Sequence, residues 1–281
     1  MRFTNAMQLK ALIKNKSAQT GVPPNLVLQT YMMERLLERI SLSTYRNNLI
    51  IKGGFLVSAM VGIDRRTTMD IDATAKTLLL SRDLIEEVLT EVVSIDADDG
   101  VEFKIKNIIN IHDVSEYDDF RISLDASFYS IRVSVKLDIT TGDTIIPHEI
   151  EYSYKLMFED RTIPVMAYNL NTILSEKIET ILSRNVTNSR GRDFYDTYML
   201  LSMNKDTISQ VELQQAILIK ARERDSVSDI IDYKKHLNNI NNSPEIARIW
   251  SAYTRNYPYA KGISLSVIIE LIAWAFEASQ F

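Results

Sequence analysis

Two aspartates two positions apart, Asp70 and Asp72, have the residue type and spacing to bind a metal. They stand in an apolar stretch, TMDIDA, that predicts a β-strand, and side chains two apart on a strand point to the same face. Two carboxylates on one face offer the oxygen ligands that Mg²⁺ prefers. The same spacing recurs at Asp96 and Asp98, but there the sequence DADDG predicts a solvated turn.

A double glycine, Gly53 and Gly54, follows a short apolar strand predicted at 49–51 and opens a predicted helix. Glycine has no Cβ, so the backbone at this point can approach a phosphate closely. The unpaired amides and the positive dipole end of the helix then favour an anion. A Gly-Gly pair alone is equally typical of a plain turn, but a phosphate cradle beside paired carboxylates indicates phosphoryl or nucleotidyl transfer.

A third carboxylate, Asp138, lies near the end of a strand predicted at 131–139, among apolar neighbours. An unpaired buried charge is costly, so this aspartate needs a partner. A metal shared with Asp70 and Asp72 would supply one, and three carboxylates could bind two metal ions. The alternative is an aspartate on an edge strand that faces water.

The order of these features resembles a known family. KGG followed by RTTMDID is similar to the first motif of the polymerase-β-type nucleotidyltransferases and, more narrowly, of the AbiEii toxins of type IV toxin–antitoxin systems. The stretches KLDIT, SEKIETILSR and RDFYD resemble the family's second, third and fourth motifs, in the same order. The resemblance implies an α/β (α+β) fold: a polymerase-β-like mixed sheet with flanking helices, followed by a C-terminal helical domain.

The resemblance also assigns roles to individual residues. It implies a catalytic role for Asp70, Asp72, Asp138, Lys177 and Asp193, with the first three as metal ligands. It implies nucleotide binding by Lys52, Gly53, Gly54, Arg66, Thr68 and Lys177. Without the resemblance, Lys177 reads as an exposed, salt-bridging lysine and Asp193 as an anion that stabilises a helix start. For Asp196 we favour a structural role.

The net charge of −5 argues against nucleic acid at first sight, but its distribution is uneven. Residues 83–125 contain 13 acidic and 3 basic residues, which leaves the rest of the chain modestly basic. We expect this acidic segment to face away from bound RNA. Candidate RNA contacts are Arg184, Arg190, Arg192, Arg248 and Arg255. Four aromatic residues lie close to Arg248 and Arg255 in the sequence: Trp250, Tyr253, Tyr257 and Tyr259. They could stack on nucleotides or pack between helices.

Hydrophobic periodicity divides the chain into three parts. Residues 1–40 are predicted to form helices that pack on a nucleotidyltransferase α/β domain at 41–165, and 166–281 to form a helical domain. The chain contains no cysteine, which excludes disulfides and thiolate metal sites. The sequence has neither a signal-peptide core at its start nor an apolar run long enough to span a bilayer, so we expect a cytoplasmic protein.

The function that the resemblance implies is a toxin that transfers nucleotides from an NTP to RNA, with two Mg²⁺ ions. The expected acceptor is the 3′ end of tRNA, and the expected role is abortive infection against phage. The expected partner is an antitoxin that acts as a transcription repressor and need not bind the toxin. Two alternatives stay open: transfer to a protein or small-molecule hydroxyl, and a non-catalytic module that binds nucleotide or RNA.

Overall fold

The computed structural model describes residues 3–78, 80–111 and 119–278. The chain divides into two compact units. Unit 1 comprises Met1–Asp143 and Glu149–Tyr168, and unit 2 comprises Thr144–His148 and Asn169–Phe281. The N-terminal helices are part of unit 1. Among the described residues, no helix combines the length and apolarity that crossing a membrane requires.

Within its described residues, unit 1 is a seven-stranded sheet with four helices. Its helices are α1 (Ala6–Thr20), α2 (Pro24–Leu42), α3 (Gly53–Val61) and α4 (Arg82–Ser94). Its strands are β1 (Leu49–Lys52), β2 (Asp70–Ala75), β3 (Glu102–Asn110), β4 (Phe120–Phe128), β5 (Ile131–Thr140), β6 (Ile150–Lys155) and β7 (Thr162–Ala167). Residues 112–118, between β3 and β4, lie outside the described residues, and so does that part of the acidic segment.

The strand order in the sheet is β3-β4-β5-β2-β1-β7-β6. Strands β2 and β5 pair in parallel, as do β1 and β7, whereas the remaining neighbours are antiparallel. The mixed sheet with flanking helices expected from the sequence is therefore confirmed. The strand β5 lies between β4 and β2, so the interpretation of Asp138 as an edge-strand aspartate is wrong.

Alternation along the strands gives the sheet one buried and one polar face around β5. Along this strand Val135, Leu137 and Ile139 have no exposed surface, whereas Lys136 is exposed and Asp138 is partly so. The helix α2 packs against β5, and α4 packs against β3 and α2, so these helices cover apolar side chains. Burial of such side chains stabilises the unit by about 1.5–3 kcal/mol each.

Two arginines of α2, Arg35 and Arg39, are buried and form ion pairs. Arg39 forms a two-pronged ion pair with Asp99, with distances of 2.8 and 2.9 Å, and its guanidinium also donates to the carbonyl oxygen of Val101 at 2.6 Å. Arg35 pairs with Glu38 at 2.9 Å and with Glu159 at 3.1 Å. These pairs satisfy charges that would otherwise be buried at high cost.

Next to them, Glu34 is buried with its carboxylate against the β6–β7 hairpin. Its Oε1 accepts hydrogen bonds from the hydroxyl of Tyr154 at 3.0 Å and from the amide of Met157 at 3.1 Å. Burial raises the pKa of Glu34 to about 7, although the positive charge of Arg35 and these hydrogen bonds act in the opposite direction. The folded protein therefore favours the protonated side chain near neutral pH.

The pH dependence of stability should reveal this proton. The pKa of Glu34 rises from 4.5 to about 7 on folding, so the folded chain keeps a proton that the unfolded chain releases. The contribution to the free energy of unfolding is complete below pH 4.5 and is lost as pH rises to about 7, by up to about 3 kcal/mol. Urea unfolding at pH 5 and pH 8 should show a smaller difference for Glu34→Gln than for wild type. Equal differences would contradict the assignment.

Unit 2 is helical. Its helices are α5 (Leu170–Arg184), α6 (Gly191–Asn204), α7 (Gln210–Glu223), α8 (Val227–Ile231), α9 (Tyr233–Asn241), α10 (Pro244–Asn256) and α11 (Leu265–Trp274). Side-chain caps begin several of them. For example, the Oδ1 atom of Asn169 accepts the amide hydrogen of Thr172 at 2.9 Å before α5. The helices α8 and α9 are separate, because Asp232 (φ −82°, ψ 18°) leaves the helical region between them.

Candidate functional site

The register of the sheet places Asp70, Asp72 and Asp138 on one face. In the parallel pair of β2 and β5, Asp72 lies opposite Asp138 and Asp70 lies opposite Lys136. On the other side of β2, Asp72 lies opposite Lys52 of β1. Residues opposite each other on paired strands point to the same face, so the structure brings the three carboxylates together.

Asp72 is the carboxylate most strongly affected by its surroundings. Burial raises its pKa to about 6, and the negative charges of Asp70 and Asp138 act in the same direction, whereas Lys52 opposes them. Like charges held this close favour either a proton or a cation between them. A divalent cation would relieve the repulsion and leave all three groups ionised.

The glycines Gly53 and Gly54 pass directly over Asp72. Gly53 has a left-handed φ of 64°, and a Cβ at this position would lie 2.1 Å from Oδ2 of Asp72. The amide of Gly54 donates a hydrogen bond to the same oxygen at 3.3 Å. A Cβ on Gly54 would lie 2.9 Å from the guanidinium of Arg66. A side chain at position 53 would thus collide with the carboxylate of Asp72, and one at position 54 with Arg66.

Lys52 and its neighbours form an ion-pair network next to this turn. The ammonium of Lys52 binds the carboxylate of Asp143 and donates to Thr140 Oγ1 at 2.6 Å. Asp143 also accepts hydrogen bonds from Thr74 and Thr140, both at 2.7 Å. Burial acts to raise the pKa of Asp143, but Lys52 and these hydrogen bonds outweigh it and hold the pKa well below its usual range. Lys52 therefore already neutralises a carboxylate inside the protein.

Arg66 and Thr68 support the turn that leads into β2. Arg66 has no exposed surface, and its guanidinium donates to the carbonyl oxygen of Thr67. The hydroxyl of Thr68 donates to Oδ1 of Asp70 at 2.8 Å. Both residues were predicted to contact nucleotide. The structure places Arg66 behind Gly54 with no open surface, so its position favours support of the turn over direct contact with a ligand.

Asp138 forms an ion pair that was not predicted from the sequence. Arg121, opposite it on β4, donates to both of its oxygens at distances of 2.6, 2.9 and 3.2 Å. The sequence gives no signal for this contact beyond an alternating strand, because the pairing depends on register. The acidic segment 83–125 therefore does not turn away from the site as a whole, since its β4 brings an arginine to the carboxylates.

The donor set fits a hard divalent cation. Asp70 and Asp72 offer carboxylate oxygens, and Asp138 would offer more once Arg121 moves away. In the conformation seen, no group of three carboxylate or imidazole side chains among the described residues is arranged to bind a metal. Because Gly53 has no Cβ, Oδ2 of Asp72 can lie against the start of α3, where it accepts the amide hydrogen of Gly54.

Unit 2 carries the residues of the third and fourth motifs. The ammonium of Lys177 on α5 lies 2.7 Å from Oδ2 of Asp196 and 3.4 Å from Oδ1 of Asp193, both on α6. Asp196 is completely buried, which agrees with a structural role. The Oδ2 atom of Asp193 is buried and has no hydrogen-bond partner among the described residues, which leaves it one unused acceptor.

The remaining basic candidates are exposed, whereas the aromatics near them are partly or fully packed. Five arginines have exposed side chains: Arg184, Arg190, Arg192, Arg248 and Arg255. Arg248 pairs with Glu245 at 2.6 Å. Trp250 is buried and donates to the carbonyl oxygen of Ile263 at 3.0 Å, and Tyr253 packs against Gly191. These two aromatic side chains contribute to helix packing.

The chain was compared with known proteins. The model of the family described as "Nucleotidyl transferase AbiEii toxin, Type IV TA system" matches residues 35–278. A comparison with curated proteins gives no match. Among solved structures, a proposed nucleotidyltransferase from H. pylori is 13% identical with a TM-score of 0.48, over 90% of this chain and 94% of that one. An antigenic nucleotidyltransferase-like protein from Paracoccidioides brasiliensis is 14% identical with a TM-score of 0.41, over 69% of this chain and 89% of that one.

These structural likenesses are too distant to carry an argument, whereas the family match covers most of the sequence. The chain belongs to the AbiEii nucleotidyltransferase toxins of type IV toxin–antitoxin systems.

Proposed function

We propose that this AbiEii-family toxin transfers a nucleotide from an NTP to RNA in a reaction that requires a divalent metal, with the 3′ end of tRNA as the acceptor. One observation carries the proposal. Asp70, Asp72 and Asp138 share a face of the sheet, and Asp72 lies directly against the Gly53–Gly54 turn. Three carboxylates beside a glycine-rich helix start suit a triphosphate and its metals better than they suit binding alone.

Each part of the site has a task in this proposal. Asp70, Asp72 and Asp138 would hold two Mg²⁺ ions, which supply positive charge to the triphosphate and to the leaving pyrophosphate. The amides at the start of α3 would bind phosphate oxygens. Thr68 orients Asp70 through its hydroxyl. Contact of Lys177 with the triphosphate and a catalytic role for Asp193 remain predictions.

The biological role follows from the family and the proposed acceptor. Nucleotides added to the 3′ end of tRNA would block aminoacylation and arrest growth, which suits abortive infection against phage. The family implies a cognate antitoxin. We propose that this antitoxin is a transcription repressor that counteracts the toxin without obligatory contact.

The test is a labelling reaction with the purified protein. Each radiolabelled NTP is incubated with Mg²⁺ and total RNA, and the products are separated by size. We expect label in tRNA, and none when EDTA replaces Mg²⁺. Label in protein but not in RNA would point to protein modification, and RNA binding without any labelling would point to a binding module.

A glycine substitution tests the geometry over Asp72. Gly53→Ala should lose both stability and nucleotide transfer, because its Cβ would collide with Asp72 and its φ is left-handed. The backbone strain alone costs about 1–3 kcal/mol. Gly21→Ala is the matched control, since Gly21 also has a positive φ of 73° but has nothing within 4 Å of a Cβ. It should lose stability alone, as measured by thermal unfolding beside the labelling reaction. Full activity in Gly53→Ala would contradict this geometry.

A further inference from the structure

The polar face of the sheet continues beyond the carboxylates across two more strands. One row of side chains runs from Asp72 through Asp138 to Arg121, in register on β2, β5 and β4. The next row runs from Asp70 through Lys136 to Ser123, and then to Asn107 on β3. The catalytic carboxylates therefore lie at one end of an open surface, which we call the acceptor face: Arg121, Lys136, Ser123 and Asn107.

We infer that the acceptor face binds the RNA strand that receives the nucleotide, with Arg121 and Lys136 in contact with its phosphates. The inference rests on the proposed function and adds the surface that holds the acceptor. Arg121 lies outside the motifs identified in the sequence, whereas Lys136 begins the KLDIT motif but was given no role there.

Charge complementarity supports an RNA strand as the occupant. Asp70, Asp72 and Asp138 repel a polyanion, so an acceptor strand that approaches them needs cations close by. Arg121 is one strand from Asp138 and Lys136 is opposite Asp70, within one or two strand spacings of about 4.8 Å. These are the positions that a backbone phosphate would take when the terminal hydroxyl of the strand reaches the carboxylates.

The exposure of the acceptor face and its hydrogen-bond donors also support its role in binding an RNA backbone. The side chain of Arg121 is 46% exposed, and Lys136 is exposed with no ion pair or hydrogen bond found for its side chain in the parts of the chain that the structure describes. Ser123 and Asn107 supply a hydroxyl and an amide that can bind phosphate oxygens without a base preference. The face thus offers contacts to the backbone of a strand.

The ion pair between Arg121 and Asp138 links this surface to the metal. Arg121 occupies both oxygens of Asp138, so a metal ion that binds Asp138 must displace it. Once displaced, the guanidinium is available to a phosphate, for which its planar donors are well suited. Arg121 should therefore oppose metal binding and favour RNA binding, and its removal should change the two affinities in opposite directions.

The experiment measures both affinities on the full-length protein. The RNA probe is a fluorescein-labelled hairpin with a single-stranded 3′ end, followed by anisotropy in Mg²⁺ without NTP over a series of NaCl concentrations. Arg121→Gln and Lys136→Gln should each weaken binding about tenfold, as expected for one lost charge-assisted contact. The log–log salt slope should fall by about 0.7 for each. Lys155→Gln on β6, whose lysine pairs with Asp160 away from this face, is the control and should match wild type.

The second measurement is the affinity for Mn²⁺ alone, by titration calorimetry or electron paramagnetic resonance. We expect Arg121→Gln to bind Mn²⁺ more tightly than wild type. If this variant loses affinity for both Mn²⁺ and RNA and unfolds at a lower temperature, Arg121 merely supports Asp138 and the inference fails. If wild type labels RNA but the salt slope is unchanged in both variants, the inference fails while the proposed function stands. A wild type that neither binds nor labels RNA overturns both.

Discussion

Asp70→Asn is expected to abolish nucleotide transfer and leave the fold and most of the RNA affinity intact. Asparagine is nearly isosteric and still offers an oxygen to the hydroxyl of Thr68, which donates to Asp70 at 2.8 Å. It removes a negative charge that acts on Asp72, so the folded state is relieved of repulsion. The metals, however, would lose a ligand. Because metal ions contribute several kcal/mol to such reactions, we expect the rate to fall at least about a thousandfold.

Nucleotide transfer and RNA affinity are measured on the same protein preparation, and growth arrest is measured in cells that express the same variant. The control is Asp160→Asn, because the side chain of Asp160 is 99% exposed and pairs with Lys155 at the sheet edge. It should behave as wild type in all three. If Asp70→Asn arrests growth as strongly as wild type does, the chain acts as a binding module and the proposed reaction is wrong.

The sequence predicts the elements that carry Asp70 and Asp72 well because the signals are local. Strand β1, the glycine turn and β2 follow one another within residues 49–75, and each is encoded by nearby residues. The two-residue spacing of Asp70 and Asp72 fixes their common face as soon as β2 is a strand. The family match, which covers residues 35–278, agrees with the resemblance seen in these motifs.

The sequence gives much less information about pairing between strands. The hairpin of β6 and β7 was not predicted, partly because Pro164 argues against a strand, yet β7 pairs in parallel with β1 through Ile51 and Ala167. Arg121 was missed for the same reason. Its contact with Asp138 depends on the register of β4 and β5, which no local pattern encodes.

Burial of charge is the other property that the sequence does not reveal. From the family resemblance, Lys52 and Arg66 were predicted to bind the nucleotide. In the structure Lys52 is paired with Asp143, and Arg66 has no exposed surface. Asp143 follows Asp138 by five residues, so a charged partner for Lys52 could have been sought there, but the sequence alone cannot select it.

Lys177→Ala is expected to destabilise unit 2 by about 3–5 kcal/mol, the usual cost of breaking a buried ion pair. From the sequence without the resemblance, Lys177 was expected to be an exposed lysine. The structure contradicts that expectation, because the side chain of Lys177 is 13% exposed and its ammonium lies 2.7 Å from the completely buried Asp196. Alanine would leave that carboxylate buried without its cation. Thermal and urea unfolding of the purified variant measure the effect, and an unchanged midpoint would contradict it.

Loss of growth arrest in Lys177→Ala alone would therefore not show that this lysine contacts the triphosphate. A double variant, Lys177→Gln with Asp196→Asn, separates stability from chemistry, because it removes both charges and leaves two amides that can bond to each other. Its stability should recover by more than half, since the completely buried position 196 no longer carries a charge without its cation. If Lys177 neutralises charge in the transition state, the double variant should still transfer nucleotide about a hundredfold more slowly than wild type. Recovery of transfer together with stability would instead assign Lys177 to the structure of unit 2 and leave the triphosphate to other cations.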